Sequence, residues 1–332
     1  MKRYGCLFED MSSFENLLLA FKQAIQGVGK KYYSLKYWAN LESNLFKLQK
    51  ELKTENYQPN DYRYFKIYKP KERTIAVADF EDRVVHNAIV NILEPIYEKS
   101  FIYNSYATRK NKGTHKAIQK AQSYLKNNFW YFKTDIKKYF DSIDHNILNS
   151  ILKRKIKDKK LLILIEKIIT NGGDNGKGLP IGNLTSQFFA NVYLDKLDHY
   201  LKDNLGIKYY IRYMDDFVVL SENKEYLKKL RKKIKEFLAN NLKLQLKAKA
   251  TFINSRTNGL PFLGTRIFTG TIRVKKENLE RSINKIKLRE RQYQTDKISE
   301  EKLQQSVNSI IAHLQNYNSY NLRKDIFSDS SW

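Results

Sequence analysis

Residues Arg212–Leu220, "RYMDDFVVL", place two adjacent aspartates inside a run that otherwise reads as a buried strand. Successive strand residues point to opposite faces, so Asp215 and Asp216 are both satisfied only if the chain turns sharply between them. The stretch therefore reads as a hairpin with a carboxylate at its tip.

Upstream, "NNFWYFKTDIKKYFDSIDH" (127–145) carries an aromatic, β-rich run that ends at Asp135 and gives way to helical spacing. If that strand neighbours the hairpin, Asp135, Asp215 and Asp216 lie at one end of a single antiparallel sheet. Such a cluster is costly through like-charge repulsion unless cations occupy it. Hard carboxylate oxygens suit Mg²⁺ better than zinc. Two metal ions about 3.5–4 Å apart can activate an attacking hydroxyl and stabilise a leaving phosphate oxygen during in-line displacement. A lone Asp-Asp pair is more commonly a solvated turn; here the apolar flanks and the second strand-end aspartate favour a site.

Bulk composition narrows the substrate. The 332 residues, 42% of them hydrophobic, suffice for a large core divided into two or three subdomains. A single cysteine, Cys6, allows no internal disulfide and no cysteine-based zinc site, which suits a reducing compartment. No apolar run approaches a membrane span and the start lacks a signal-peptide core, so the expectation is a soluble, cytoplasmic protein. Lys plus Arg number 61 against 35 Asp plus Glu, a formal charge of +26, and a polyanion is the natural partner. The 23 tyrosines and 18 phenylalanines among these lysines suit base stacking beside phosphate binding. A lysine-rich composition with core aromatics is the plainer account, and charge alone does not separate an enzyme from a binder.

Along the chain, Leu35, Trp38, Leu41, Leu45, Leu48 and Leu52 predict one amphipathic helix, and "YRYFKIYKPKERTIAVADF" (62–80) a hairpin around Pro70. "DRVVHNAIVNILEPIYE" (82–98) returns to helical spacing. After the glycine-rich "NGGDNGKGLPIGN" (171–183), Leu184, Phe188, Val192 and Leu197 mark a helix with Asn183 and Thr185 as candidate caps. A helix over 224–240 and a strand over "LKLQLKAKATFI" (242–253) follow. Beyond a boundary near Lys275 the pattern is helical, with Leu303, Val307, Ile310, Ile311 and Leu314 on one face. Strands alternating irregularly with helices argue for α+β. His86, His115 and His145 lack metal-ligand spacing, and "NGGDNGKG" lacks the phosphate-loop signature.

Three motifs in order, "YFKTDIKKYFDSIDH", "GLPIGNLTSQFFANVYLDKLD" and "RYMDDFVVL", resemble the catalytic palm of reverse transcriptases. "FKIYKPKERTIAVADFEDRVVHNAI" and "SYATRKNKGTHKAI" resemble the fingers of bacterial and group II intron relatives, and "LKLQLKAKATFIN" with "LPFLGTRI" the later palm motifs and primer grip. The resemblance covers roughly 57–267. It implies an α+β right-hand polymerase: an N-terminal helical extension (1–56), fingers (57–125), palm (126–270) and a short helical thumb (271–332).

In the second motif this chain has Ile181, Gly182, "NLT", Ser186 and Gln187, where most reverse transcriptases have glutamine or arginine first and proline last. Ile-Gly-x-x-x-Ser-Gln resembles the enzymes of diversity-generating retroelements, which copy a template-repeat RNA into cDNA with errors opposite adenine. The absence of a recognisable RNase H, maturase or endonuclease segment fits that class. An isoleucine offers no hydrogen bond where glutamine or arginine would, and a site without directional contacts separates near-isosteres by only about 1–3 kcal/mol. Ile181 is therefore expected to contribute to adenine-directed infidelity.

By the same resemblance Asp135, Ile136, Asp215 and Asp216 hold two Mg²⁺, Phe140 is the steric gate against ribonucleotides, and Arg73 with Lys69 or Lys66 takes the dNTP triphosphate. Gln187 and Ser186 shape the pocket, Lys249 protonates pyrophosphate, and Arg109, Lys110 and Lys112 meet template phosphates. Implied partners are template RNA, primer or cDNA and a small basic accessory protein oligomer, in a bacterial or phage-encoded setting. Rival readings are another bacterial lineage, abortive-infection or intron-like, and a nonenzymatic RNA-binding protein on a polymerase fold.

Overall fold

The aromatic run before Asp135 forms β3 (Trp130–Thr134), an inner strand of a four-stranded antiparallel sheet. The computed structural model describes residues 2–26, 32–68 and 71–328. The sheet order is β4 (Tyr210–Tyr213), β5 (Asp216–Ser221), β3, β6 (Phe252–Ser255), with Thr134 opposite Phe217 and Trp130 opposite both Ser221 and Ser255. Helices cover both faces. Tyr131, Ile211, Val218 and Leu220 pack with Ala117, Ile118, Ala121 and Leu125 of α6 (Thr114–Lys126). Phe132, Tyr210, Phe217 and Val219 pack in the main core with α10 (Leu184–His199) and α11 (Lys224–Leu242). Burial on both sides is why β5 reads as the unbroken apolar run Phe217–Leu220 instead of an alternation.

The N-terminal helices α1 (Leu7–Met11) and α2 (Phe14–Gln26) pack on α5 (Phe80–Glu98). The single helix predicted over Leu35–Leu52 is two, α3 (Tyr32–Ala39) and α4 (Leu41–Lys53), interrupted at Asn40. Asparagine competes locally with helical hydrogen bonds, and only α4 buries its full stripe of Leu45, Leu48 and Leu52. The hairpin predicted over 62–80 forms from β1 (Arg63–Ile67) and β2 (Arg73–Val77), with Arg63 opposite Val77. Its Lys69 and Pro70 lie outside the described residues.

After β3 come α7 (Tyr139–Ser142), α8 (His145–Lys155) and α9 (Lys159–Asn171). Asp144 and Asp158 cap α8 and α9 by accepting from the Ile147 and Leu161 amides at 3.1 and 3.2 Å. Asn183 precedes α10 but makes no side-chain cap bond, and Thr185 lies buried in the first turn. The strand predicted over 242–253 begins only at Phe252. Before it, Gln245 O and Lys247 N bond the backbone of Lys137 and Asp135, and Ala248–Ala250 form a 3₁₀ turn. A three-stranded sheet, β7 (Leu260–Phe262), β8 (Thr265–Ile267) and β9 (Ile272–Val274), follows.

The predicted boundary near Lys275 coincides with the start of α12 (Lys276–Gln294), succeeded by α13 (Glu300–Gln315) and α14 (Tyr320–Ser328). Ile286, Ile310 and Leu314 form a small core of their own. Among the described residues no helix is long and apolar enough to cross a membrane.

Candidate active site

The hairpin forms, but it turns one residue earlier than expected, between Met214 and Asp215 instead of between the two aspartates. Tyr213 and Asp216 are the last cross-strand pair, leaving Met214 and Asp215 as a two-residue loop. Met214 sits at φ 55, the positive φ that tight hairpins between right-twisted strands require. Arg212, fully buried, holds this loop from beneath by donating to the Met214 carbonyl at 3.1 Å and to Asn191 Oδ1 at 3.0 Å. Its other nitrogens form a two-pronged pair with the buried Asp198 at 2.7 and 2.5 Å, and the Tyr210 hydroxyl adds a third bond to Asp198 at 2.7 Å. Such saturation is what a buried ion pair needs to offset desolvation. Asn191 in turn donates to Ala107 O at 2.8 Å. The loop carrying Asp215 is thereby tied to α10 and to the segment before α6.

By register Lys133, Asp135 and Asp216 share the α6 side of the sheet, while Asp215 occupies the turn. Asp215 faces Asp135 across the end of the sheet; burial first, and then the Asp135 charge, push Asp215 up to about 7. Asp216 rises to about 6 through burial, opposed by the ammonium of Lys133. Lys133 Nζ lies 2.8 Å from Asp216 Oδ1, and Lys247 Nζ lies 3.3 Å from Asp135 Oδ2. Two half-buried carboxylates that face each other are hard oxygen donors, a set that fits a divalent cation. Among the described residues no three such side chains converge into a ready cage. The Asp216 carboxylate turns to Lys133, and Ile136, its side chain buried, offers only its backbone carbonyl.

Phe140 is half-buried on α7 beside Tyr139, whose hydroxyl donates to Ala190 O at 2.5 Å. Its carbonyl accepts from Leu179, joining it to the glycine-rich loop. That loop then meets the fingers, with Ala76 N donating to Ile181 O at 2.8 Å. Gly182 is required there twice over: φ is +125°, and a Cβ would lie 2.7 Å from Ala76 O. Ile181 and Gln187 are half-buried and Ser186 is buried. Arg73 is exposed at the start of β2, and Lys66 pairs with Glu72 at 3.1 Å.

Other residues are placed differently from expectation. Arg109 is no template ligand in this arrangement: it is buried, with its donors on Glu98 and on the carbonyls of Ile102 and Ser105. Lys110 pairs with Glu94, and Lys112 donates to Tyr103 O. Lys249 is exposed, and the lysine that reaches the aspartates is Lys247. As expected, His86 and His145 have structural surroundings: His86 is buried and held down to about 4 by burial and Arg83, while His145 bonds Gly178 O at 2.7 Å. Lys133, Arg212, Asp198 and Lys247 escape a reading by motif. The available signal is period two: Lys133 stands two residues before Asp135 on the same strand face, and Arg212 interrupts an apolar strand.

Comparison with known proteins agrees with this geometry. The family described as reverse transcriptase (RNA-dependent DNA polymerase) matches residues 61–267. Protein YkfC of Escherichia coli is 28% identical over 296 residues, 75% of this chain and 76% of that protein. The group II intron-encoded protein LtrA of Lactococcus lactis is 28% identical over 321 residues, 73% of this chain and 54% of LtrA. A putative COX1/OXI3 intron 2 protein of Saccharomyces cerevisiae is 32% identical over 171 residues, 48% of this chain and 20% of that protein. The chain thus spans about a fifth and about half of the yeast and Lactococcus relatives. Among solved structures, apo telomerase from Candida tropicalis superposes with a TM-score of 0.51 at 16% identity, over 65% of this chain and 55% of that one, a likeness of right-hand polymerase fold.

Proposed function

This chain belongs to the reverse transcriptase family, and we propose that it is an RNA-directed DNA polymerase of the diversity-generating retroelement type. The observation that carries the polymerase reading is the meeting of Asp135 and Asp215 from two separate motifs in one half-buried carboxylate pair. Asp135 and Asp215, with the Ile136 carbonyl and Asp216 in support, would hold two divalent cations, Mg²⁺ in this reading, which when bound stabilise charge on the reacting phosphate oxygens.

The chain's own residues do the positioning. The primer 3′-hydroxyl attacks the α-phosphate of a dNTP lying between the palm and the β1–β2 hairpin. Arg73 takes the triphosphate, its guanidinium fork matching phosphate oxygens, and Lys69 and Lys66 add charge. Phe140 crowds the sugar 2′ position. Lys247 or Lys249 lies on the side where pyrophosphate departs. Copying of template RNA is the substrate assignment that the family supports.

The retroelement assignment rests on Ile181, Ser186 and Gln187 in the second motif. The Ile181 side chain, on the loop whose carbonyl accepts from Ala76 N, offers the incoming pair no hydrogen bond. A small basic accessory protein and a bacterial or phage cytoplasm complete the reading. The likeness to YkfC and LtrA favours an intron-like lineage as the second reading. The test is cDNA synthesis from a repeat RNA with Mg²⁺, with Asp215→Asn as control and every product sequenced. Substitutions concentrated at template adenines support the retroelement reading; faithful products leave an intron-like polymerase; no product sinks both.

A further inference from the structure

Helix α11, "KEYLKKLRKKIKEFLANNL", carries a surface that the copying reaction does not use. Its apolar stripe Leu227, Leu230, Ile234, Leu238 and Leu242 is buried in the main core, against the sheet face opposite the one that bears Asp135 and Asp216. Phe237 beside the stripe stacks on Tyr200 at 4.0 Å, and the rest of the helix faces solvent. Lys228, Lys229, Arg231, Lys232, Lys233 and Lys235 are all exposed, with Glu225 and Glu236 as the only acids on the helix. Among the described residues only Lys228 of these six meets a carboxylate, that of Glu225 at 2.7 Å.

The spacing aggravates the imbalance. Lys228 and Lys232, Lys229 and Lys233, and Arg231 and Lys235 are like-charge pairs four residues apart, each unfavourable to the helix by itself. A bound polyanion offsets all three repulsions with attractions of its own. A basic amphipathic helix can also serve a membrane or the groove of a partner protein, but those uses require its apolar face. Here that face is buried in the core, so a partner meets cations alone. RNA phosphates, at the charge density of a nucleic acid backbone, fit this best.

We propose that the outer face of α11 is a second RNA-binding surface, on the reverse of the palm, that anchors a folded part of the template transcript while another part is copied. The identity of the polyanion rests on the RNA-copying reading; the surface itself does not. In the test, a fluorescent 20-base-pair RNA stem-loop is titrated onto full-length protein already saturated with a short DNA primer on an RNA template. The variant is Lys228→Gln, Arg231→Gln, Lys232→Gln and Lys235→Gln together, all exposed positions, with Lys229→Gln, Lys233→Gln as a milder second variant.

The wild type is expected to bind the stem-loop without releasing primer–template. The quadruple variant should bind it at least tenfold more weakly, with a log–log salt slope shallower by up to about 3.6, since each of the four phosphate contacts contributes about 0.9. Primer extension on the short template should stay within twofold, and the melting temperature should not fall. Displacement of primer–template one for one, equal stem-loop affinity in the variant, or a preference for poly-glutamate over RNA at this face would each overturn the proposal. If the wild type binds the stem-loop as expected yet makes no cDNA, the polymerase reading fails and the α11 surface stands.

Discussion

Replacing Arg212 by Met should damage stability and turnover together, because one side chain holds both a buried charge and the catalytic loop. The substitution leaves the fully buried Asp198 carboxyl with the Tyr210 hydroxyl as its one remaining donor among the described residues. Removing one partner of a buried pair costs about 3–5 kcal/mol. An unfolding entropy of about 2.1 cal/mol/K per residue over 332 residues converts this to a drop of about 4–7 °C in melting temperature. The Met214 carbonyl also loses its 3.1 Å donor, so the loop carrying Asp215 is no longer pinned. kcat should then fall by tenfold or more, with a smaller change in KM. The assay is thermal unfolding beside steady-state primer extension for Arg212→Met, Asp198→Leu and the double variant. The double variant should be less destabilised than the two single losses added together, since neither charge is left stranded. Additive losses, or an Arg212→Met protein that melts within 1 °C of wild type and extends normally, would refute the reasoning.

Asp215→Asn should abolish extension by at least a thousandfold while raising or preserving the melting temperature without metal, because it removes the repulsion with Asp135; calorimetry and gel assays read both. Gly182→Ala should cost about 1–3 kcal/mol and raise the KM for dNTP, since the added Cβ meets Ala76 O in a disfavoured backbone region; unfolding curves and dNTP titrations check it. Lys247→Met should lower extension more than Lys249→Met, because only Lys247 reaches Asp135; parallel rate measurements decide. His199, raised to about 9 by hydrogen bonding to Asp195 and then Asp203, contributes stability that is full below about 6.5 and lost as pH rises through 9. A His199→Asn protein should therefore close its melting-temperature gap to wild type between pH 6 and 10. His86, buried and held near 4, works oppositely: stability falls as pH drops from about 6.5 toward 4, and His86→Leu should flatten that limb of the melting curve.

Much of this protein was legible in its residues taken in order. The aspartate pair in an apolar run demands a tight turn, and Met214 supplies the positive φ. The strand before Asp135, the fingers hairpin and the helix after Asn183 follow from period two, turn residues and period 3.6, all local properties of backbone and side-chain geometry. Where local rules compete, the reading slips. One stripe from Leu35 to Leu52 hides the break at Asn40, and 242–253 looks like a strand although most of it serves as a companion to residues 135–137.

Residue types and motif order also determine that Asp135, Asp215 and Asp216 form the candidate site. Which cation each carboxylate faces is a different kind of fact. Lys133 on Asp216, Lys247 on Asp135, Arg212 between Asp198 and Met214, and Arg109 turned inward to Glu98 all join residues separated in the chain by 2 to 112 positions. Only the folded arrangement decides these, because a charge interacts through distance in space and through the water that burial removes, and neither is written in the spacing of the sequence.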